Sequence, residues 1–313
     1  MPRIYMTPAE VQAHPLGVAL AIQLAQLPAN ELDQLLARCS VQADNICGKR
    51  LQAPGTSTLT LQANANVTSI SVASTLTLDD LAEQAVILDP GTGIQEIVLI
   101  QPGGVNVSSW VSPYPGTIEL ATPLQFTHSN GATVQYAYRE VSETITASQS
   151  DPYSEALMSQ AAQLALAHLP PIHIGLNRIS FLKNYPISTV YTLEHAYSFD
   201  TTYNLIYSSS DITFAGQIII EPTAGFIRFR VGTVVLPQGL NRTTYIGGYQ
   251  VIPEDVKTAV MYLMSDQFQV FANPYGATSV SQGKRRVAFA MQKNKTLNRL
   301  QAEAYLSRYV RRV

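Results

Sequence analysis

Helical and strand patterns alternate along the chain in large blocks. Apolar residues recur at three- and four-residue spacing in the segments that we predict to be helical, residues 1–50, 150–169, 253–273 and 297–310. Between them, residues 54–141 and 187–251 combine two-residue alternation with Gly- and Pro-rich breaks, which indicates short antiparallel strands. The pattern as a whole predicts an α+β protein with two antiparallel β regions and a C-terminal helical tail.

The N-terminal helices carry their own start and stop signals. Thr7 and Glu10 have the spacing of a capping box, with Pro8 at the first helical position. A longer helix begins after Asn30 and ends at Gly48. Its apolar stripe consists of Leu32, Leu35, Leu36, Cys39, Ala43 and Ile46. We expect this stripe to pack against other helices of the chain.

The two β regions differ in how they are bounded. Residues 54–141 contain several short alternating segments separated by turns such as Asp89-Pro90-Gly91, which predicts a small barrel or sandwich that folds by itself. The second region has a hairpin turn at residues 222–225. Between the regions, the helix at 150–169 is apolar almost all round, so we expect it to be buried between them or against neighbouring subunits.

The run 245–260 marks a change from strand to helix. Gly247 and Gly248 allow the backbone to turn, and Pro253 stands where a helix tolerates a missing N–H group. The next residues, which are acidic, complement the helix dipole, whereas Lys257 lies on the polar side and is expected to add little to stability. The apolar face of this helix consists of Val256, Ala259, Val260, Leu263, Met264 and Phe271.

Three stretches of this sequence resemble the head-to-tail connector, or adaptor, proteins of tailed bacteriophages. They are the run 245–260 (Tyr-Ile-Gly-Gly-Tyr-Gln-Val-Ile-Pro-Glu-Asp-Val-Lys-Thr-Ala-Val), the helix at 31–50, and the hairpin Ile-Ile-Glu-Pro-Thr-Ala-Gly-Phe-Ile at 219–227. The resemblance implies a helical connector core formed by the opening helices, the second β region and the two closing helices. Residues 54–141 then look like an inserted β-module, because simpler connectors lack them.

The resemblance also implies a division of the chain and a function. Its six segments are the N-terminal helices of the connector core at 1–53, the β-module at 54–141, a buried linking helix at 142–175, the second β region at 176–252, a core helix at 253–273, and a loop with a basic C-terminal helix at 274–313. The implied function is that of a structural virion protein in the phage neck, made in the host cytoplasm. Its partners would be identical subunits in a dodecameric ring, the portal protein, the next neck or tail protein, and double-stranded DNA that passes through the ring without sequence-specific contacts.

Charge is concentrated at the C-terminal end. The 313 residues carry a net charge of −2 and only 13% are charged, which argues against a free nucleic-acid-binding protein. Residues 284–313 nevertheless hold nine Lys or Arg and one acid, a net +8, so the rest of the chain carries −10. We expect this tail to be mobile in the free monomer, because few apolar residues hold it down. The residues predicted to dock on the portal are Arg299, Tyr305, Arg308, Tyr309, Arg311 and Arg312.

The candidate chemistry adds little to this interpretation. Cys39 and Cys47 share one predicted helix and are about 12 Å apart along its axis, so a disulfide is excluded and both are expected in the core. His128 falls in a turn with no acidic residue nearby in the sequence, and His168 and His173 would need a third ligand to hold a metal ion. No catalytic motif and no apolar run of membrane-spanning length is found, so we expect no enzyme activity, no cofactor, no metal and no membrane contact.

A second class of function stays open. A β-rich tail protein that binds a host receptor or a carbohydrate would present exposed aromatic residues. The 16 tyrosines favour that function, whereas the single tryptophan, Trp110, does not. The two classes differ in one simple observable, because only the adaptor is expected to form rings with the portal.

Overall fold

A computed structural model divides the chain into two compact units. It describes residues 4–25, 27, 31–78, 84–109, 113–146, 178–197, 202–209, 218–229, 239–272, 279–282, 285–288, 291–292 and 295–310. The first unit combines Met1–Ala53 with Tyr249–Val313, and the second unit is Pro54–Gly248. The predicted helix at 150–169, with His168, and the nearby His173 lie outside the described residues.

The first unit is built mainly from helices at the two ends of the chain. Its helices are α1 (Pro8–Ala13), α2 (Pro15–Ala19), α3 (Ala21–Ala25), α4 (Glu31–Cys47), α5 (Glu254–Ala272) and α6 (Leu297–Leu306), and a 3₁₀ turn at Ser307–Tyr309 follows α6. The two chain segments are also joined by backbone hydrogen bonds. The amide of Tyr249 donates to the carbonyl of Leu51 at 2.7 Å, and the amide of Ala53 donates to the carbonyl of Tyr249 at 3.0 Å.

The core of the first unit forms between α4, α5 and α6. The predicted apolar face of α5 is buried at Val256, Ala259, Val260, Leu263 and Met264. The same cluster contains the buried residues of α4, which are Leu35, Leu36, Cys39, Ala43 and Cys47. It also contains Ala302 and Leu306 of α6 and Tyr309 of the 3₁₀ turn. The predicted faces of α4 and α5 are therefore confirmed, except at Phe271, whose side chain lies outside the described residues, because burying them together removes a large apolar area from water.

The second unit is an antiparallel β structure. Its strands are β1 (Thr56–Thr58), β2 (Ser69–Val72), β3 (Gln84–Leu88), β4 (Glu96–Val107), β5 (Gly116–Leu120), β6 (Thr133–Thr146), β7 (Arg178–Phe181), β8 (Ile187–Tyr197), β9 (Asn204–Ser208), β10 (Ile218–Glu221), β11 (Phe226–Phe229) and β12 (Gly239–Gly247). All belong to one 12-stranded sheet, whose longest path runs β10-β11-β7-β6-β3-β4-β5-β2. Two small hairpins belong to the first unit, β13 (Ser279–Gln282) with β14 (Arg285–Ala288) and β15 (Met291–Gln292) with β16 (Lys295–Thr296).

Strand β6 joins the two predicted β regions into one sheet. At Gln135 it lies between Thr56 of β1 and Ile87 of β3, both of the first region. At Tyr138 it lies between β3 and Tyr245 of β12, which belongs to the second region. Its last residues then pair with β7. A single strand of 14 residues therefore carries the sheet from one region into the other.

The predicted fold class is wrong in its main point. Strands account for 38% of the residues and helices for 28%, and the large antiparallel sheet curls into a half-barrel instead of forming two separate β regions around a helical connector core. Alternation along a strand predicts which face is buried, but it does not say which strand will be the neighbour. The sequence pattern showed β6 only as a short segment near residue 134, so its extension to Thr146 and its pairing with β12 were missed.

The predicted change from strand to helix is confirmed. β12 ends at Gly247, where a Cβ atom would come within 1.9 Å of the carbonyl oxygen of Asn184. Gly248 follows with a φ of 103°, which favours glycine. α5 begins at Glu254, directly after Pro253, whose carbonyl accepts the amides of two residues in the first turn. Sterics therefore favour glycine at both positions, Gly247 because a Cβ atom would clash and Gly248 because of its positive φ.

Candidate functional site

The C-terminal helix α6 is held at its start by α5. It carries Arg299 and Tyr305 of the predicted docking set, and the 3₁₀ turn that follows carries Arg308 and Tyr309. The side chain of Thr296 caps α6 by accepting the amide of Arg299 at 3.1 Å. The same hydroxyl donates to the buried carboxylate of Asp266 in α5. The side-chain amide of Asn298 donates to the Ser265 hydroxyl at 2.8 Å. The beginning of α6 is thus fixed in position by polar contacts as well as by the apolar core.

Two tyrosine pairs hold the rest of α6. Tyr305 stacks on Tyr262 of α5, with ring centroids 5.9 Å apart. Tyr309, only 9% exposed, meets Tyr249 edge-to-face at 5.8 Å. Burial, and then the nearby Asp255 carboxylate, raise the pKa of Tyr309, so its phenol stays neutral over the physiological range. Two of the six predicted docking residues therefore help to attach α6 to its own unit.

The described arginines of the docking set remain at the surface. Arg299 is 41% exposed and its Nε lies 3.4 Å from Glu303 Oε1 on the next turn of α6. Arg308 is 62% exposed and its Nη1 lies 2.5 Å from Asp255 Oδ2. The two arginines are nine positions apart, Arg299 in α6 and Arg308 in the 3₁₀ turn that follows it. Arg311 and Arg312 lie outside the described residues.

The expectation that the C-terminal segment is weakly held is wrong for residues 296–309. It assumed few apolar anchors, whereas Ala302 and Leu306 are fully buried and Tyr309 nearly so. The reason for the error is that these anchors are spaced over one narrow helix face, between basic residues that dominate the composition. In place of a tail that orders on docking, Arg299 of α6 and Arg308 of the following 3₁₀ turn are presented by a packed segment.

Lys257 is another residue whose position differs from expectation. Its Nζ lies 2.7 Å from Glu10 Oε1 and 3.0 Å from Glu254 Oε1, and its side chain is only 14% exposed. The hydrogen bond to Glu10 is the main cause of the raised pKa of Lys257, and it likewise lowers the pKa of Glu10. Lys257 therefore connects α5 with the capping box of α1, where Glu10 also accepts the amide of Thr7 at 2.7 Å.

A buried histidine in the second unit has acidic partners that the sequence did not reveal. His128 is fully buried, with Nδ1 2.8 Å from Asp89 Oδ2 and Nε2 3.4 Å from Glu96 Oε2. Glu96 also accepts the amides of Gln125 at 2.7 Å and Phe126 at 3.2 Å. The three side chains thereby fasten the loop at 125–128 to the hairpin of β3 and β4. The prediction that His128 lacks an acidic neighbour is wrong, because both carboxylates lie more than 30 residues away in sequence.

The two cysteines behave as predicted. Cys39 and Cys47 are free, buried thiols, and burial raises the pKa of each to about 12.

Within the described ranges, no three His, Cys, Asp or Glu side chains are grouped so that they could hold a metal ion. Among the helices that the structure describes, none combines the length and hydrophobicity needed to cross a membrane.

Comparison with known proteins does not supply a family. No family model matches the chain, and a search of curated proteins found no match.

Proposed function

We propose that this protein is a structural component of a tailed-phage virion, an adaptor subunit that forms a ring beneath the portal at the head-to-tail junction. Its partners on this proposal are other copies of the chain, in a ring of twelve, the portal protein above, and the next neck or tail protein below. Double-stranded DNA passes through the ring without sequence-specific contacts. The subunit acts by packing, symmetry and charge, without a catalytic step.

The observation that supports this function best is the run 245–260. These residues carry the resemblance to adaptor proteins, and four of them have a clear structural reason to be where they are. Gly247 leaves room for the carbonyl of Asn184, Gly248 adopts a positive φ, and Val256 and Val260 are fully buried in the core. The resemblance is therefore carried by residues that shape a strand-to-helix connection, a feature that related subunits would share through their fold.

The geometry of α6 and of the 3₁₀ turn after it supports a docking role for Arg299 and Arg308. The side chain of Arg299 in α6 is 41% exposed and that of Arg308 in the 3₁₀ turn is 62% exposed, while Ala302, Leu306 and Tyr309 of the same segment are buried. A docking element that is already folded loses little conformational entropy when it binds. Each arginine already has one carboxylate partner, so an acidic portal surface would compete with Glu303 and Asp255 for them. A specific acidic partner suits this arrangement better than DNA, because dense phosphate contacts would raise non-specific affinity and hinder DNA movement.

Electron microscopy tests this function directly. The full-length protein is imaged by negative stain, alone and mixed with the portal protein of the same phage, and we expect rings seated on the portal. The variant Arg299→Glu/Arg308→Glu should lose portal binding and keep the circular dichroism spectrum of the wild type. Lys183→Glu, a charge reversal at an exposed residue of the second unit, is the matched control and should bind normally. Absence of any ring with the wild type and the portal refutes the adaptor function.

A second candidate function gains support from the large sheet. A β-rich tail protein that binds a host receptor or carbohydrate is consistent with a chain in which strand exceeds helix, 38% against 28%. Binding of the purified protein to host cells or to cell-surface glycans, together with no rings on the portal, would select this function. Portal-bound rings without cell binding would select the adaptor.

A further inference from the structure

Three loops of the second unit lie together at one end of strands β1 to β6. They are residues 61–66, 89–96 and 124–130, and we call them the loop end. Ala63 and His128 exchange two backbone hydrogen bonds, at 2.9 and 2.8 Å, which join the first loop to the third. Asp89 Oδ2 lies 2.8 Å from His128 Nδ1 and joins the second loop to the third. The loop end is therefore ordered before any partner binds, which lowers the entropy cost of binding.

Each of the three loops exposes one large apolar side chain. Leu61 is 64% exposed, Ile94 is 40% exposed and Phe126 is 41% exposed. The amide of Phe126 donates to Glu96 Oε2 at 3.2 Å, and Glu96 lies two residues after Ile94, so the second and third loops bring these two positions near each other. Single exposed apolar residues are ordinary, whereas three on one set of loops indicate an interaction site.

The loop end carries negative charge. Residues 54–138 contain six acidic residues and no Lys or Arg, a net −6 with neutral histidine. Two of the six, Asp89 and Glu96, belong to the loop end and share His128, which can balance at most one of their two charges. A negative field that no nearby cation offsets attracts a basic partner.

The described basic residues of the second unit lie away from the loop end. The carbonyl of Thr133 accepts the amide of Asp89, and Arg139 is six residues further along β6, which is roughly 20 Å. The others lie on β7, β11 and β12 or directly after β7, and β7 and β12 pair with β6 from Tyr138 onward. These residues are Arg178, Lys183, Arg228 and Arg242. The opposite charges of this unit are thus separated along β6.

The chain itself contains a segment of matching chemistry. Residues 284–295 read Lys-Arg-Arg-Val-Ala-Phe-Ala-Met-Gln-Lys-Asn-Lys, which is a net +5 with three large apolar residues. We call them the basic segment. No acidic residue occurs between Asp266 and Glu303, so the sequence around the basic segment does not balance its charge. The basic segment includes β14 and β15, which belong to the two small hairpins of the first unit.

From these two features we infer that the loop end of one copy binds the basic segment of a neighbouring copy. The inference rests on the proposed function in one respect, which is that copies of this chain associate. Two different surfaces meet in such a contact, so it can repeat from copy to copy until a ring closes. Opposite charges steer the surfaces together, and burial of Leu61, Ile94 and Phe126 against apolar residues of the basic segment stabilises the contact.

DNA suits the basic segment less well than the loop end does. A DNA backbone presents sugars and phosphates and offers no apolar partner for Val287, Phe289 and Met291. The loop end repels DNA, because both carry negative charge. In contrast, the loop end supplies negative charge together with exposed apolar side chains, which matches the composition of the basic segment.

Charge reversal in the full-length protein tests the contact. The segment variant, Arg285→Glu/Arg286→Glu/Lys295→Glu, changes the basic segment from +5 to −1. The loop variant, Asn64→Lys/Gln125→Lys/Ser129→Lys, alters three exposed uncharged residues and changes the loop end from −2 to +1. We expect each variant alone to self-associate at least about tenfold more weakly than the wild type in sedimentation velocity, because like charges then face each other.

Mixing the two variants separates a contact between copies from a contact within one chain. In the mixture, the negative segment of one variant meets the positive loop end of the other, and the two unchanged surfaces also match. We therefore expect self-association to return to within about threefold of the wild type. A chain that combines all six substitutions should recover as well. Recovery of the combined chain without recovery of the mixture indicates a contact within one chain and overturns the inference, and recovery of neither overturns it too.

The apolar part of the contact has a matched control. Ile94 of the loop end and Ile219 of β10 are both 40% exposed. Ile94→Ala should weaken self-association by about fivefold, because apolar area that is buried in the contact is lost, whereas Ile219→Ala should leave it unchanged. Equal effects of the two substitutions would contradict the inference.

The outcomes also distinguish this inference from the adaptor function. Wild-type rings on the portal that neither charge variant weakens overturn the inference and leave the adaptor function standing. Charge-dependent self-association without any ring on the portal supports the inference and refutes the adaptor function. Binding of duplex DNA that the segment variant loses, with self-association unchanged, assigns the basic segment to DNA and overturns the inference.

Discussion

Replacing Leu263 by alanine should strongly destabilise the helical unit. Leu263 is 0% exposed and belongs to the cluster between α4, α5 and α6. The substitution removes three carbon atoms from this core, which costs about 2.4 kcal/mol at roughly 0.8 kcal/mol for each buried methylene. The cavity that remains adds to this cost, since three packed helices cannot all move inward to fill it. We therefore expect a loss of about 3 to 5 kcal/mol in the free energy of unfolding.

Urea denaturation of the full-length protein, followed by circular dichroism at 222 nm, measures this loss, because the helical signal reports mainly on the first unit. Gln267→Ala is the matched control on the same helix. Gln267 is only half-buried, so we expect its replacement to change the free energy of unfolding by less than about 0.5 kcal/mol. Equal transition midpoints for Leu263→Ala and Gln267→Ala would refute the placement of Leu263 in the core.

Three further predictions concern an ion pair, a folding unit and a buried histidine. Lys257 lowers the pKa of Glu10, so the pair stabilises the protein above the pKa of the unfolded glutamate and loses this effect as pH falls through the lowered folded-state value. The difference in unfolding free energy between wild type and Glu10→Gln should therefore shrink on acidification, as measured by urea titrations at several pH values. A fragment of residues 54–248 should fold, whereas a fragment of residues 54–141 should lack cooperative unfolding, because β6 would lose β12 as its neighbour. Far-ultraviolet circular dichroism and thermal melts compare the two fragments. Finally, His128→Asn should destabilise the second unit by about 3 to 5 kcal/mol, because two carboxylates lose their shared buried partner. Tyrosine fluorescence during denaturation measures this loss, and an unchanged transition midpoint would contradict the prediction.

The candidate docking site was only partly predictable. Composition identified the basic end of the chain, and Arg299 and Arg308 are exposed there as a docking surface requires. The anchoring of α6 was not predictable, because the stacking of Tyr305 on Tyr262 joins residues 43 positions apart. Sequence spacing describes neighbours on one helix, and contacts between helices depend on how the helices are arranged.

The same limit explains what was missed in the sheet. His128 meets Asp89 and Glu96 across 39 and 32 residues, and Glu194 of β8 meets Arg139 of β6 and Arg242 of β12. None of these residues stands out in the sequence, since each looks like an ordinary polar residue in a strand or turn. Their chemistry arises only when the strands are placed side by side.

The sequence by itself determined the local features of this protein. The capping box at Thr7, the burial of Cys39 and Cys47, and the glycines that end β12 all follow from preferences that act over a few residues. Only the tertiary structure decided that β6 pairs with β12 about 100 residues away and that one sheet replaces two β regions. Periodicity fixes which face of a strand turns toward the core, but the choice of partner depends on the free energy of packing the whole chain.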